Sequence, residues 1–458
     1  MSHRRESRRR WAIAFLLAFG VVIGFFDRIN LAVSQEALHA SFGISLIAFG
    51  YLASAFSVTY AVMQIPAGML LDRFGIRRVG RVSTLLWSVA SFAAAVAPGL
   101  TIFFGARLLL GIAEAPTFPG NAKALGLWFP PEKRSLPIAI TDAAAKFSSA
   151  IGVPFLGLLL LHFGWRLTFA ATGVLSLVYF GLFYGYYRNP EERDRDTAEV
   201  PIAASGSESA EPFVPQADLK VGHYTTGQVG ETATGGRLSE QDTETSESAK
   251  ELGKLLYLLR QPKVYGLALG WGAYNYSFFL FLNWLPTYLA IAHHMDLLHS
   301  VFYTSAPWLF ATMTDLVVGG WLVDALIQHG WNANRVRRTV LIVGTSCGLA
   351  IFGAAHPRSA VEALMWISVA LGGLAAAAPV AWTVPSLIAP EESVGTLASV
   401  ANLSGQLAAI SAPVITGYIV AATHSFASAF VTAAVILVLG IVGYGVLLGR
   451  IEGIGEAR

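Results

Sequence analysis

The stretch "GMLLDRFGIRR", residues 68–78, closes one long apolar run and stands just before another. The first run covers about 47–71 and the second about 80–99. Each is long enough to cross a bilayer, which takes roughly 20 apolar residues. Between them lie Arg73, Arg77, Arg78 and Arg81. Arginines crowded into a short loop mark the side of the membrane that retains positive charge.

Working outward from this loop, the same test finds ten more spans. In the first half they are about 11–34, 102–128, 136–161 and 166–187. In the second half they are about 264–291, 300–328, 338–355, 361–388, 395–421 and 425–449. The fold class is therefore an all-α membrane protein of twelve transmembrane helices in two six-helix bundles, 11–187 and 263–449. Of the 458 residues, 54% are hydrophobic and only 13% charged, against about 25% charged in soluble domains. Lys133, Arg134, Arg335, Arg337 and Arg338 share the arginine-rich side, whereas the opposite loops carry only Glu36, Arg166, Asp296 and Arg358. The basic tail 1–10 and the short tail 450–458 then both lie in the cytoplasm, and the chain sits in a plasma membrane. The first apolar run continues past Arg28 and has no small-residue cleavage site, so it reads as a span and not as a secretory or twin-arginine signal. Residues 188–262 are rich in Glu, Asp, Ser, Thr and Gly, the composition of a largely disordered linker. Within it, 251–262 has the apolar spacing of a short amphipathic helix at the inner surface.

Two blocks of six spans suggest an internal repeat, with a substrate site near the midplane between halves. Gly, three residues, Asp and a later arginine cluster recur at 68–78 and again at 319–338, where Asp324 is followed by Ala325. The first copy, with Gly68, Asp72, Arg73, Gly75, Arg77 and Arg78, resembles the cytoplasmic motif of the major facilitator superfamily. In that superfamily the motif latches the cytoplasmic side, and the resemblance extends the role in weaker form to Asp324. "FFDRINLAVS" (25–34), "RLLLGIAEAPTFPGNAKALGLWFPPEKR" (107–134), "FGWRLTF" (163–169), "FLNWLPTYL" (281–289) and "VANLSGQLAAISAPVITGYIV" (400–420) look like the anion:cation symporter family. That family includes bacterial permeases for sugar acids, hexuronates and phthalate-type carboxylates, and animal carriers of sialic acid, glutamate and phosphate.

Ionisable residues inside spans are functional candidates. Arg107 and Glu114 stand seven residues apart, nearly two turns, so they face one way about 10 Å apart. A carboxylate held away from a counter-charge in a dry site becomes able to take up a proton. Guanidinium stays charged and grips carboxylates with a fork. The resemblance implies proton coupling through Glu114 with Arg107 balancing its charge. It also makes Asp27 a second proton-linked carboxylate and Arg28 a ligand of the anionic substrate. The alternative is static pairing, Asp27 with Arg107 or Arg28 with Glu114. Asp142 and Lys146, four apart, share a helix face and either neutralise each other or leave Lys146 for a second acidic group of the substrate. Asp315 has no partner in its own span, and a contact with Lys146 across the cavity is conceivable.

Polar side chains able to read substrate hydroxyls are Tyr274, Asn275 and Ser277 on span seven and Asn402 and Gln406 on span eleven. Tyr51, Tyr60 and Gln64 on span two are further candidates. For each, helix–helix hydrogen bonding is the competing role. His293, His294 and His299 read as one solvated outer loop, and no metal site is expected. Cys347 stands alone, so no intramolecular disulfide forms. The absence of a phosphate-cradling Gly-Lys-Ser/Thr loop argues against an ATP-driven pump, and no protease pattern points to an enzyme. The expectation is a monomeric proton-coupled importer of an organic anion, with the bilayer as its surroundings, no nucleic-acid partner, and no cofactor beyond the coupling proton. An exporter or exchanger on the same fold, or a substrate sensor, are the alternatives.

Overall fold

A computed structural model describes residues 2–129, 135–189, 256–390 and 394–454. Most of the expected linker 188–262, the first part of its amphipathic helix, Lys133, Arg134 and the end of the C-terminal tail lie outside the described residues. Lipid offers no hydrogen bonds, so a spanning backbone must satisfy itself. The described residues accordingly form helices: α1 (Ser2–Val33), α2 (Gln35–Phe42), α3 (Leu46–Ala95), α4 (Leu100–Glu114), α5 (Thr117–Trp128) and α6 (Ser135–Tyr186). The second half comprises α7 (Pro262–Ala292), α8 (Leu297–Thr314), α9 (Val323–Gln328), α10 (Ala333–Cys347), α11 (Ala360–Ile388), α12 (Val394–Thr423) and α13 (Ala427–Val442). A π-helical segment, Asp315–Leu322, joins α8 to α9. A 3₁₀ segment, Gly348–Ala355, extends α10, and a second π segment, Gly443–Leu448, extends α13.

Two of these helices each make two crossings. α3 turns back at Gly75, whose φ of 77° and ψ of 159° suit only a residue without a Cβ. The loop expected over 72–79 is thus reduced to one residue, and helix resumes at Ile76. Both limbs then pack on α4: Thr59 donates to the Leu108 carbonyl at 2.8 Å and Ser83 to the Ala113 carbonyl at 2.5 Å. α6 turns the same way at Gly164, φ 75°. Its two limbs enclose α1, with Phe26 against Gly152 and Asn30 bonded to Thr172. Among the described residues, nine helical stretches are long and apolar enough to span. One of these, Ile140–Tyr186, is the doubled α6; the second limb of α3 and α7 complete twelve crossings. In α7, Trp271, Tyr274, Asn275, Tyr276, Ser277 and Asn283 dilute the apolar character.

The halves meet where α3 packs on α12, α6 on α8 and α1 on α7. Among the described residues, three uncharged side-chain hydrogen bonds cross between them toward the arginine-poor end. Ser54 donates to the Ile410 carbonyl at 2.7 Å, the Tyr51 and Tyr418 hydroxyls are 3.0 Å apart, and Thr287 donates to Gln35. Gly50 allows this approach, since a Cβ there would stand 2.7 Å from the Pro413 carbonyl oxygen. At the arginine-rich end, the bonds from Arg81 to Tyr184 and from Arg338 to Gly445 stay inside one half. A Gly50→Leu side chain is therefore expected to wedge the halves apart at the arginine-poor end. With Cys347 replaced by Ser, spin labels at the exposed positions 40 and 422 should move to longer distances in that variant. An unchanged distance distribution would refute the wedge.

Candidate functional site

α1 carries Asp27 and Arg28 into the middle of the first half, and adjacency on a helix turns them about 100° apart. Arg28 points toward α3 and the end of α4. Its Nη2 donates to Glu114 Oε2 at 2.9 Å, with the two side chains only 10% and 3% exposed. The guanidinium also lies 4.5 Å from the ring centres of both Phe25 and Phe56, and 5.7 Å from Tyr60. Cation–π contacts of this kind contribute about 0.5–2 kcal/mol each and partly offset the removal of the cation from water. Glu114 ends α4 because Pro116 follows and has no N–H to continue the ladder. The pair is not saturated: Glu114 Oε1, Arg28 Nε and Arg107 Nε are buried without hydrogen-bond partners.

Asp27 points the other way. Its carboxylate accepts from the Trp87 indole and from Ser91 at 2.9 Å, both on the second limb of α3, and from Ser176 on α6 at 3.4 Å. Arg107 does not pair with that carboxylate; it donates to the Asp27 backbone carbonyl at 3.1 Å. Of the two static pairings weighed from sequence, the structure contains Arg28 with Glu114. Trp87, Ser91 and Ser176 had no charge pattern to single them out, and only a buried acid seeking donors explains them.

A second charged cluster joins the halves. Lys146 on α6 donates to Asp142 one turn earlier at 2.7 Å and is ion-paired with Asp315 of the second half at 2.7 Å. Lys146 and Asp315 are 3% exposed, Asp142 27%. The Tyr274 hydroxyl lies beside the same ammonium. Asp315 opens the π-helical segment, where α11 approaches so closely that a Cβ on Gly319 would meet the Ala376 carbonyl at 2.6 Å. Wide turns of this type concentrate at functional sites.

The remaining candidates divide by location. Tyr60 is buried under Arg28, and the Gln64 amide donates to the Ala115 carbonyl at the α4–α5 break. Asn275 bonds its own helix at the Trp271 carbonyl, while Asn402 and Gln406 are half-buried on α12. Trp271, not singled out from sequence, has a buried indole N–H without a partner, near Gly405 of α12. In the 68–78 motif, Gly68 faces open space, Gly75 makes the turn, Arg73 and Arg78 are exposed and Arg77 is half-buried; the Asp72 side chain is outside the described residues. Asp324 is exposed on α9. His299 bonds Asp296 at 2.7 Å and His293 bonds Tyr288, and the described residues contain no group suited to a metal ion.

Removing the Asp27 carboxylate leaves the Trp87 and Ser91 donors buried and unpaired, a cost of about 1–3 kcal/mol. Asp27→Ala should lower the thermal unfolding temperature in detergent clearly more than Asp27→Asn, which keeps an acceptor oxygen. Equal stability of the two variants would show that these donors find other partners.

The family model of the Major Facilitator Superfamily matches residues 10–411. An uncharacterized transporter, YybO, of Bacillus subtilis is 35% identical over 98% of this chain and 96% of its own length. A D-galactonate transporter of Escherichia coli O6:H1 is 28% identical over 98% of both chains. A probable galactarate/D-glucarate transporter of Bacillus subtilis is 28% identical over 98% of this chain and 94% of its own. Among solved structures, the D-xylose–proton symporter superposes with a TM-score of 0.69 at 15% identity, covering 96% of this chain and 98% of that one. A bacterial homolog of the human lysosomal transporter Spinster, in an inward-facing unoccupied conformation, gives 0.69 at 17%, covering 96% and 97%. The chain thus belongs to the major facilitator superfamily and is a multi-pass membrane transporter, not an enzyme.

Proposed function

We propose that this protein imports an organic anion of the sugar-acid type together with protons, by alternating access. The observation that carries the reading is the buried Arg28–Glu114 pair in which one Glu114 oxygen and the Arg28 Nε lack partners. Arg28, Arg107, Asp27 and Glu114 cancel formally when all are ionised. A proton on Glu114 frees the Arg28 fork and leaves a net positive pocket, which suits a carboxylate. Asp27, enclosed by Trp87, Ser91 and Ser176, is a less accessible proton site and serves first to fix α1 against α3 and α6.

The names of the relatives support the substrate class, since they include a D-galactonate transporter and a probable galactarate/D-glucarate transporter. Protons also answer an energetic need. An inside-negative potential opposes entry of a monoanion by about 2.3 kcal/mol per 100 mV, and two protons per anion would reverse that sign. The positive-inside rule makes the arginine-rich end cytoplasmic, with both termini there and the joined arginine-poor end outside, in a bacterial inner membrane. In that orientation the halves are closed to the outside, and rocking about the midplane exposes Arg28 to either side in turn. One chain contains both halves and suffices as a monomer.

Proteoliposomes test this directly. An imposed inward proton gradient should drive accumulation of D-galactonate, and a protonophore should abolish it. Glu114→Gln should retain exchange of internal for external D-galactonate but lose proton-driven accumulation. Accumulation that survives in Glu114→Gln would remove Glu114 from coupling. If no sugar acid accumulates in the wild type, the symport reading fails.

A further inference from the structure

We propose that Asp142, Lys146 and Asp315 make the substrate site selective for a monoacid with an uncharged, hydroxyl-bearing far end, and exclude a second carboxylate. This deepens the sugar-acid reading and rests on it.

The first observation is charge. One ammonium holds two carboxylates, both at 2.7 Å, so the cluster is formally −1 when ionised. Lys146 and Asp315 are nearly inaccessible, while Asp142 is the member left partly exposed. A substrate carboxylate reaching Lys146 would have to displace an aspartate and strand it without a counter-charge, in surroundings where an unpaired charge is strongly disfavoured. A carboxylate that stops short of Lys146 meets like charge. Hydroxyls face neither penalty: they donate to carboxylate oxygens in charge-assisted hydrogen bonds.

The second observation is placement. Arg28 and the cluster are joined by a continuous line of rings: Arg28 over Phe25 at 4.5 Å, Phe25 to Phe278 at 6.2 Å, Phe278 to Tyr274 at 5.8 Å, and Tyr274 beside Lys146. The site therefore has an anionic pole where the halves meet and, once Glu114 takes a proton, a cationic pole in the first half. The third is the Trp271 indole. It is stacked on Tyr274 at 5.0 Å, 6% exposed, and its N–H lacks a partner. A buried donor of this kind calls for an oxygen acceptor, and a substrate hydroxyl supplies one. Reading Lys146 as the anchor of a second acidic group overlooks that its ammonium is already held from both halves.

D-Galactonate and D-galactarate form a clean pair of probes, differing only in a hydroxymethyl group against a carboxylate at one end. Binding is read on purified wild type in detergent by thermal stabilisation over a concentration series of each acid. D-Galactarate is expected to bind at least about tenfold more weakly than D-galactonate. Asp142→Asn, the conservative change at the most exposed member, should narrow that ratio several-fold, tightening D-galactarate while weakening D-galactonate, whose hydroxyls lose a charged acceptor. Lys146→Gln, which raises the excess to −2, should widen it. Equal or tighter binding of D-galactarate by the wild type overturns the proposal, as does a ratio unmoved in Asp142→Asn. Because binding is measured without a gradient, a preference for D-galactonate with no proton-driven uptake would sink symport and leave the selectivity standing.

Discussion

A guanidinium inside a membrane protein has to be matched by groups the protein itself provides, and Arg28 imposes that constraint on the whole first half. Its charge needs Glu114, so α4 must end beside α1. Its faces need rings, so Phe25 and Phe56 are brought against it and Tyr60 closes the side. Asp27, one residue earlier, is thereby turned away from the pair and toward α3 and α6, which must supply Trp87, Ser91 and Ser176. Two adjacent charges thus orient α1 about its own axis against three neighbouring elements. Apolar packing in lipid could not do this as specifically, because lipid tails compete with every hydrophobic contact.

Close approach in this fold is made by glycine. Gly111 sits where a Cβ would collide with Thr59 and the Phe56 carbonyl, which seats α4 in the groove of α3. Gly50 and Gly417 do the same between halves, against Pro413 and Leu46. Contacts made by backbone on backbone have no side-chain adaptability, so a side chain added at these glycines forces the backbones apart.

The twelve crossings were legible because lipid forces a long apolar run to be a helix, and the arginine loops order those runs in the membrane. The span over 102–128 was legible as a whole but not its break after Glu114, although Pro116 was the signal. The hairpin at Gly75 was read as a longer loop, since arginines suggest solvent and do not reveal that one glycine completes the reversal. In the site, the four charges of spans one and four could be found from type and depth. Their directions could not: helical geometry sets the angle between Asp27 and Arg28 but not which of them faces Glu114. The tie between Lys146 and Asp315 joins residues distant in sequence and on different halves, so no spacing rule reaches it. Asp315 was visible as an acid with no local partner, with Lys146 across the cavity as no more than a conceivable contact.

The one-turn spacing of Asp142 and Lys146 also bears on how the chain is assembled. Ribosome and insertion machinery deliver α6 to the membrane before α7 exists. A lone lysine in that segment would wait, unmatched, for a carboxylate synthesised well over a hundred residues later. With Asp142 on the same helix, the segment enters already neutral, and Asp315 meets a pair that is complete without it. The order of synthesis thus favours the arrangement found, in which the first half carries its own counter-ion and the second half arrives with the surplus charge.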